Sequence, residues 1–148
     1  MTVRRPVVLF AAALLVAAVH VSWSAGVLPD RVASHFDAGG AADGWSSRAA
    51  FLQAYVGIVG LVALMMAGLA VLMPRLPAGA LNVPDREYWL APERAAASIR
   101  RVADWLLEFG AATVVFLVTV FHLSVRANLD AEVGPAEPTL GPAFGLMM

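Results

Sequence analysis

Three stretches of this chain, residues 6–25, 51–73 and 109–125, contain no charged residue, and no other feature limits its fold so severely. An α-helix rises about 1.5 Å per residue, so stretches of this size reach roughly 26–35 Å against a bilayer hydrocarbon core of about 30 Å. Because 60% of the 148 residues are hydrophobic and only 14% are charged, too few polar side chains remain to coat a water-soluble globule. The reading is an all-α membrane protein with one polytopic domain over 1–148. Its transmembrane helices are expected over 6–25, 51–73 and 105–127. An outer loop takes 26–50, a cytoplasmic loop and the start of the third helix take 74–104, and an outer tail takes 128–148. A rival reading makes 1–25 a cleaved secretory signal, with Arg4 and Arg5 leading and Ser22, Ser24 and Ala25 at the processing end. Against it, the apolar run continues through His20 and Val21, and Trp23 suits an interface anchor.

A net charge of −1 offers no broad basic face for nucleic acid, and the absence of cysteine removes disulfides, thiolate metal sites and cysteine nucleophiles together. All ten basic residues are arginine. Short loops rich in positive charge resist translocation, which orients the chain. An inner amino terminus leaves Arg4, Arg5, Arg75, Arg86, Arg94, Arg100 and Arg101 in the cytoplasm, and only Arg31, Arg48 and Arg126 outside. The expected location is therefore the cell membrane, multi-pass, with the amino terminus cytoplasmic. Trp23 and Trp45 flank the outer loop and Trp89 and Trp105 the inner one, the levels indole rings favour.

Within the second span, Gly57, Gly60, Ala63, Ala67 and Gly68 predict a central packing helix, because small residues let backbones approach closely. The third helix is expected to start at Pro92 and to run unbroken to Asn128, with Arg100 and Arg101 pairing locally with Asp104. Its polar residues Arg101, Asp104, Glu108, Thr119, His122 and Arg126 share one stripe. A proton path along that stripe is opposed by the gap of about 16 Å between Glu108 and Thr119.

Residues 28–48 are rich in turn formers and predict a compact, structured loop. Gly39, Gly40 and Gly44 would supply turn conformations, Asp37 and Asp43 would cap them, and Phe36 and Trp45 would rest on the bilayer surface. His35, Asp37 and Asp43 carry ligand chemistry, but their spacing matches no zinc or calcium motif, so neither metal nor cofactor is expected. His20, Gln53 and His122 sit at a common depth below this loop. They suggest an outward-facing polar cup able to hold a ligand, metal ion or proton; the plainer alternative is interfacial histidines on unrelated faces.

Leu28, Pro29, His35, Phe36, Gly39, Asp43, Gly44 and Trp45, followed by Arg48, resemble the signature of the bacterial membrane family called domain of unknown function 1648, whose pattern is similar to LP-x-x-x-x-x-HF-x-x-x-G-x-x-DGW and a basic residue. Asn82, Pro84, Tyr88 and Trp89, with Pro92, Glu93 and Arg94, resemble the N-x-P-x-x-x-YW-x-x-P-E-R segment found after the second span of such proteins. The resemblance implies a polytopic bacterial membrane protein. Some relatives, the Sdp-type immunity proteins, protect producing cells from a secreted toxin and relay its presence to a cytoplasmic repressor. Proteins of this kind commonly have a fourth span, whereas the sequence beyond Asn128 holds only a short apolar end, read either as a fourth helix cut short or as an outer tail.

Three functions follow as expectations. The first is a non-enzymatic sensing or immunity-type module, its outer loop meeting a membrane or secreted protein and residues 82–94 meeting a cytoplasmic one. The second is an accessory subunit of a transporter or secretion complex, which needs partners or homo-oligomers because three spans enclose no path. The third is a metal-dependent membrane hydrolase using His35 with Asp37 or Asp43, unsupported by any nucleophile-elbow, HExxH or phosphate-loop pattern. The bilayer is a partner in all three.

Overall fold

The computed structural model describes residues 4–132. It is mostly helical: α1 (Arg5–Val27), β1 (Arg31–Phe36), β2 (Ala42–Ser47), α2 (Arg48–Leu72), two 3-10 turns (Met73–Arg75 and Ala78–Ala80), α3 (Arg86–Trp89) and α4 (Ala95–Glu132). Among the described residues, three helices are long and apolar enough to cross a membrane. Only 22%, 17% and 22% of their most apolar windows is buried inside the protein, so most of that apolar surface requires a hydrocarbon surround. Both the expected outer tail and a shortened fourth helix fall largely outside the described residues.

Local chemistry explains the element ends. Pro29 follows α1 and cannot continue it, and the Leu28 amide closes the last turn on the Ser24 carbonyl at 3.0 Å. Ser47 caps α2, its hydroxyl accepting from the Ala50 amide at 3.2 Å. Pro92 lies in the turn that leads into α4, and the helix proper starts at Ala95, three residues beyond the expected start. Hydroxyls of Ser22, Ser24, Thr113, Thr119 and Ser124 donate to carbonyls four residues earlier, which satisfies them without water.

The chain divides into two compact units, Met1–Leu14 with Leu61–Val114, and Leu15–Gly60 with Val115–Met148. In the first, Phe10, Met66, Ala70, Ala103, Leu107, Ala111 and Val114 are buried. The small residue that permits close approach here is Gly110 of α4: a Cβ there would lie 2.8 Å from a Phe10 ring carbon and 3.0 Å from Met66 Cβ. This corrects the packing expected of α2. A Cβ added at Gly57, Gly60 or Gly68 would meet no packed neighbour within 4 Å, and α2 buries Phe51, Tyr55, Val59, Met66 and Ala70 instead. Asp104 also pairs differently from expectation, with Arg4 at 2.8 Å, while the Arg101 guanidinium lies 5.3 Å from the Trp105 ring centre. A residue just ahead of α1 holds the carboxylate where residues on the preceding turn of α4 were expected to.

In the second unit, Leu28, Val32, Phe51 and Val125 form a core joined by Val27, Leu52, Phe121 and Leu129. Here the expected turn-rich loop is a β-hairpin, with β1 and β2 antiparallel. Its strands, RVASHF and ADGWSS, contain Gly, Asp, Ser and Ala where β-branched and aromatic residues would announce a strand. A lone hairpin is marginal in water, so docking onto the helices must stabilise it.

Candidate functional site

The hairpin turns at Asp37. Its carboxylate accepts from the Gly39 and Ala41 amides at 2.8 and 2.9 Å, and its own amide donates to the Ala41 carbonyl at 2.8 Å. Of the three glycines expected to supply turn conformations, Gly40 is the one at positive φ, 83°, while Gly39 supplies an amide. Pairing runs Ala33 to Trp45, His35 to Gly44 and Phe36 to Ala42, so Ser34 and Asp43 are each the extra residue of a bulge. A side chain at Gly44 would meet His35 Cβ at 2.7 Å, which accounts for the glycine between Asp43 and Trp45.

The bulges re-aim the polar side chains. His35 Nδ1 bonds to Asp43 Oδ1 across the strands, so Asp43 partners the imidazole and leaves turn capping to Asp37. The two side chains are 73% and 47% exposed. Trp45 is exposed, with the Arg31 guanidinium over its ring 4.7 Å from the ring centre, and Phe36 is partly buried.

Two clamps hold this display. Arg48 donates to the Leu28 carbonyl and to Asp30 Oδ1, both at 2.9 Å, while its amide donates to the Asp30 carbonyl at 2.9 Å, closing the hairpin base. That is the task of the basic residue after the Asp-Gly-Trp run. On the other edge, Asn128 of α4 imitates a neighbouring strand. The Ala33 amide donates to Asn128 Oδ1 at 2.7 Å, and Asn128 Nδ2 donates to the Ala33 carbonyl at 3.0 Å and to the Ser124 carbonyl at 2.8 Å. Ala33 is fully buried and Asn128 nearly so, and nothing in the sequence marked Asn128 beyond its place at a helix end.

In the same unit His20 and His122 face each other, His20 Nε2 lying 3.1 Å from His122 Nδ1. The other His20 ring nitrogen meets the Tyr55 hydroxyl at 3.1 Å, and the Tyr55 ring stacks on Phe121 with centroids 4.0 Å apart. Trp23 completes the group, 5.4 Å from His20 and 5.8 Å from His122 between ring centres. The histidines therefore do not lie on unrelated faces. Gln53 is exposed and stands outside the group; Tyr55, two residues on, takes the place expected for it. The signal was available, since Tyr55 lies seven residues into α2 and His20 seven before the end of α1, at matching depth.

The 82–94 segment belongs to the first unit and is bound internally by Arg94. Its guanidinium lies 4.2 Å from the Tyr88 ring centre, donates from Nε to the Tyr88 carbonyl at 2.7 Å and pairs with Glu93 at 3.2 Å. Trp89 packs edge-on against Tyr88, and both rings are about half exposed. Asp85 opens α3 in the left-handed conformation, φ 48°, following Pro84, while Asn82 and Pro84 are exposed. In the same unit, Arg4, Ala70, Pro74, Ala96, Ile99, Arg100 and Ala103 line a cavity of about 460 Å³. Among the described residues no group of three or more His, Cys, Asp or Glu side chains could hold a metal ion.

Neither a curated protein nor a solved structure matches this chain. Residues 8–58 match the family model described as "Domain of unknown function (DUF1648)", a segment that holds His20, Tyr55, the hairpin and Arg48 and ends before residues 82–94. Over that segment the chain is similar to the domain of unknown function 1648 family.

Proposed function

We propose that this protein is a non-enzymatic integral module of the cell membrane, amino terminus in the cytoplasm, that binds a membrane or secreted protein through its outer hairpin and engages a cytoplasmic partner through residues 82–94. One observation carries this reading. The hairpin is fixed at its base by Arg48 and along one edge by Asn128, while His35, Asp43 and Trp45 remain exposed. Immobilising such side chains in advance lowers the entropy lost on binding. An immunity-type role is the form this takes when the outer partner is a secreted toxin. A hydrolase is less well supported, because the His35 and Asp43 side chains are 73% and 47% exposed among the described residues, open to water.

Photoreactive residues placed at Trp45 and at Trp89 in living cells test the proposal. Distinct protein adducts from the two positions are expected, with the Trp45 adduct lost in Gly44→Ala. Adducts with lipid alone at both positions would refute it. A second reading, the accessory subunit, draws on the open glycines of α2, which suit close approach by a helix of another chain. It predicts crosslinks from Gly57 to a membrane protein or a second copy.

A further inference from the structure

We infer that His20 and His122 form a binding site for a divalent transition-metal ion of the copper and zinc class. The geometry points there first. An ion bonded to two imidazole nitrogens at about 2.0–2.1 Å holds them roughly 2.9–3.4 Å apart, for angles between square and tetrahedral. His20 Nε2 and His122 Nδ1 already stand 3.1 Å apart, so a tilt of the exposed His122 ring brings both lone pairs onto one ion with little change in their separation.

The surroundings supply what such a pair needs. Metal-bound histidines are held by a hydrogen bond from their second ring nitrogen, and His20 Nδ1 reaches the Tyr55 hydroxyl, itself locked by burial and by stacking on Phe121. With the ion in place His20 carries its hydrogen on Nδ1, donated to the Tyr55 oxygen, and His122 keeps its hydrogen on the outward Nε2. Neither ring gains or loses a proton overall. Neutral imidazoles without thiolate or a carboxylate cage select copper, zinc or nickel over calcium and magnesium, and the usual affinity order places Cu²⁺ first. With only two protein ligands, water fills the remaining positions and the ion exchanges readily. The site lies apart from the hairpin's own histidine, so it stands whether or not the hairpin recruits a protein.

The test uses the full chain, purified in detergent and titrated with CuCl₂ in a non-chelating buffer, followed by tryptophan fluorescence, calorimetry and electron paramagnetic resonance. One Cu²⁺ per chain is expected, with imidazole-nitrogen splitting and quenching that Trp23→Phe largely removes without changing the calorimetric affinity. His122→Ala, at an exposed position, should weaken binding about tenfold or more and reduce the nitrogen splitting. His20→Ala should do the same, provided its circular dichroism and elution match the parent. His35→Ala, in the hairpin, should leave affinity and stoichiometry unchanged. Wild-type affinity in His122→Ala, or loss of the bound ion in His35→Ala instead, would overturn the assignment.

Discussion

Replacing Asn128 with leucine removes the amide that stands in for a third strand while keeping side-chain volume close to the original. Three hydrogen bonds disappear, and the Ala33 N–H and C=O are left facing a methyl group in a fully buried position. Each stranded backbone group costs about 1–3 kcal/mol, so the hairpin should lose at least about 2 kcal/mol of its docking stability. That corresponds to a roughly 30-fold larger opening equilibrium, since each 1.36 kcal/mol is tenfold. Hydrogen–deuterium exchange of β1 peptides in detergent reads this directly, because amides released by local opening exchange in proportion to that equilibrium. Exchange in α2 beyond Tyr55 serves as the internal reference and should not change. Asn128→Asp should fall between, keeping the acceptor for the Ala33 amide but setting a carboxylate against the Ala33 carbonyl. If Asn128→Leu left β1 exchange within about threefold of the parent, the amide would not be the hairpin's anchor, and the mimicry argued here would be wrong.

Further outcomes follow from particular contacts. Gly110→Ala should cost about 1–3 kcal/mol of thermal stability in detergent, because its Cβ would sit 2.8 Å from the Phe10 ring, whereas Gly57→Ala should be neutral or slightly stabilising. Arg48→Met should destabilise the hairpin by about 1–2 kcal/mol through the partly buried bond to Leu28, while Asp30→Ala should cost less than about 0.5 kcal/mol, because the Asp30 carboxylate is 95% exposed; protease nicking of residues 31–47 distinguishes them. Gly44→Ala should shift the pairing of His35 with Asp43 and alter the chemical shifts of both residues, since the added carbon would meet His35 Cβ at 2.7 Å.

Much of this architecture was legible from charge alone. A run of apolar residues long enough for a bilayer has few alternatives to a helix, because every backbone group must find its partner within the segment. The helices consequently appear where charge is missing. Their packing was not legible in the same way, because small residues are common in apolar helices and composition does not say which face meets protein: Gly110 does, and Gly57, Gly60 and Gly68 do not. The hairpin escaped because its strand signal is weak, and its stability comes from residues distant in sequence. Ala33 and Asn128 lie 95 positions apart, and His20 and His122 lie 102 apart. Depth arguments found both histidines but selected Gln53 over Tyr55, since depth fixes height along a helix and leaves direction around it open. Motif residues gained meaning only once paired: Gly44 with His35, Arg48 with Leu28, Arg94 with Tyr88.

The absence of native cysteine makes the central claim, three crossings of a bilayer with arginine-rich segments inside, open to a direct measurement. Single substitutions Ser34→Cys, Glu87→Cys and Asp130→Cys place a thiol in the hairpin, in α3 and near the end of α4, all at exposed positions. A membrane-impermeant maleimide added to intact cells should label the first and third, and should reach the second only after permeabilisation. Labelling of Ser34→Cys and Glu87→Cys from the same side, or release of the chain from membranes by alkaline carbonate, would contradict the account.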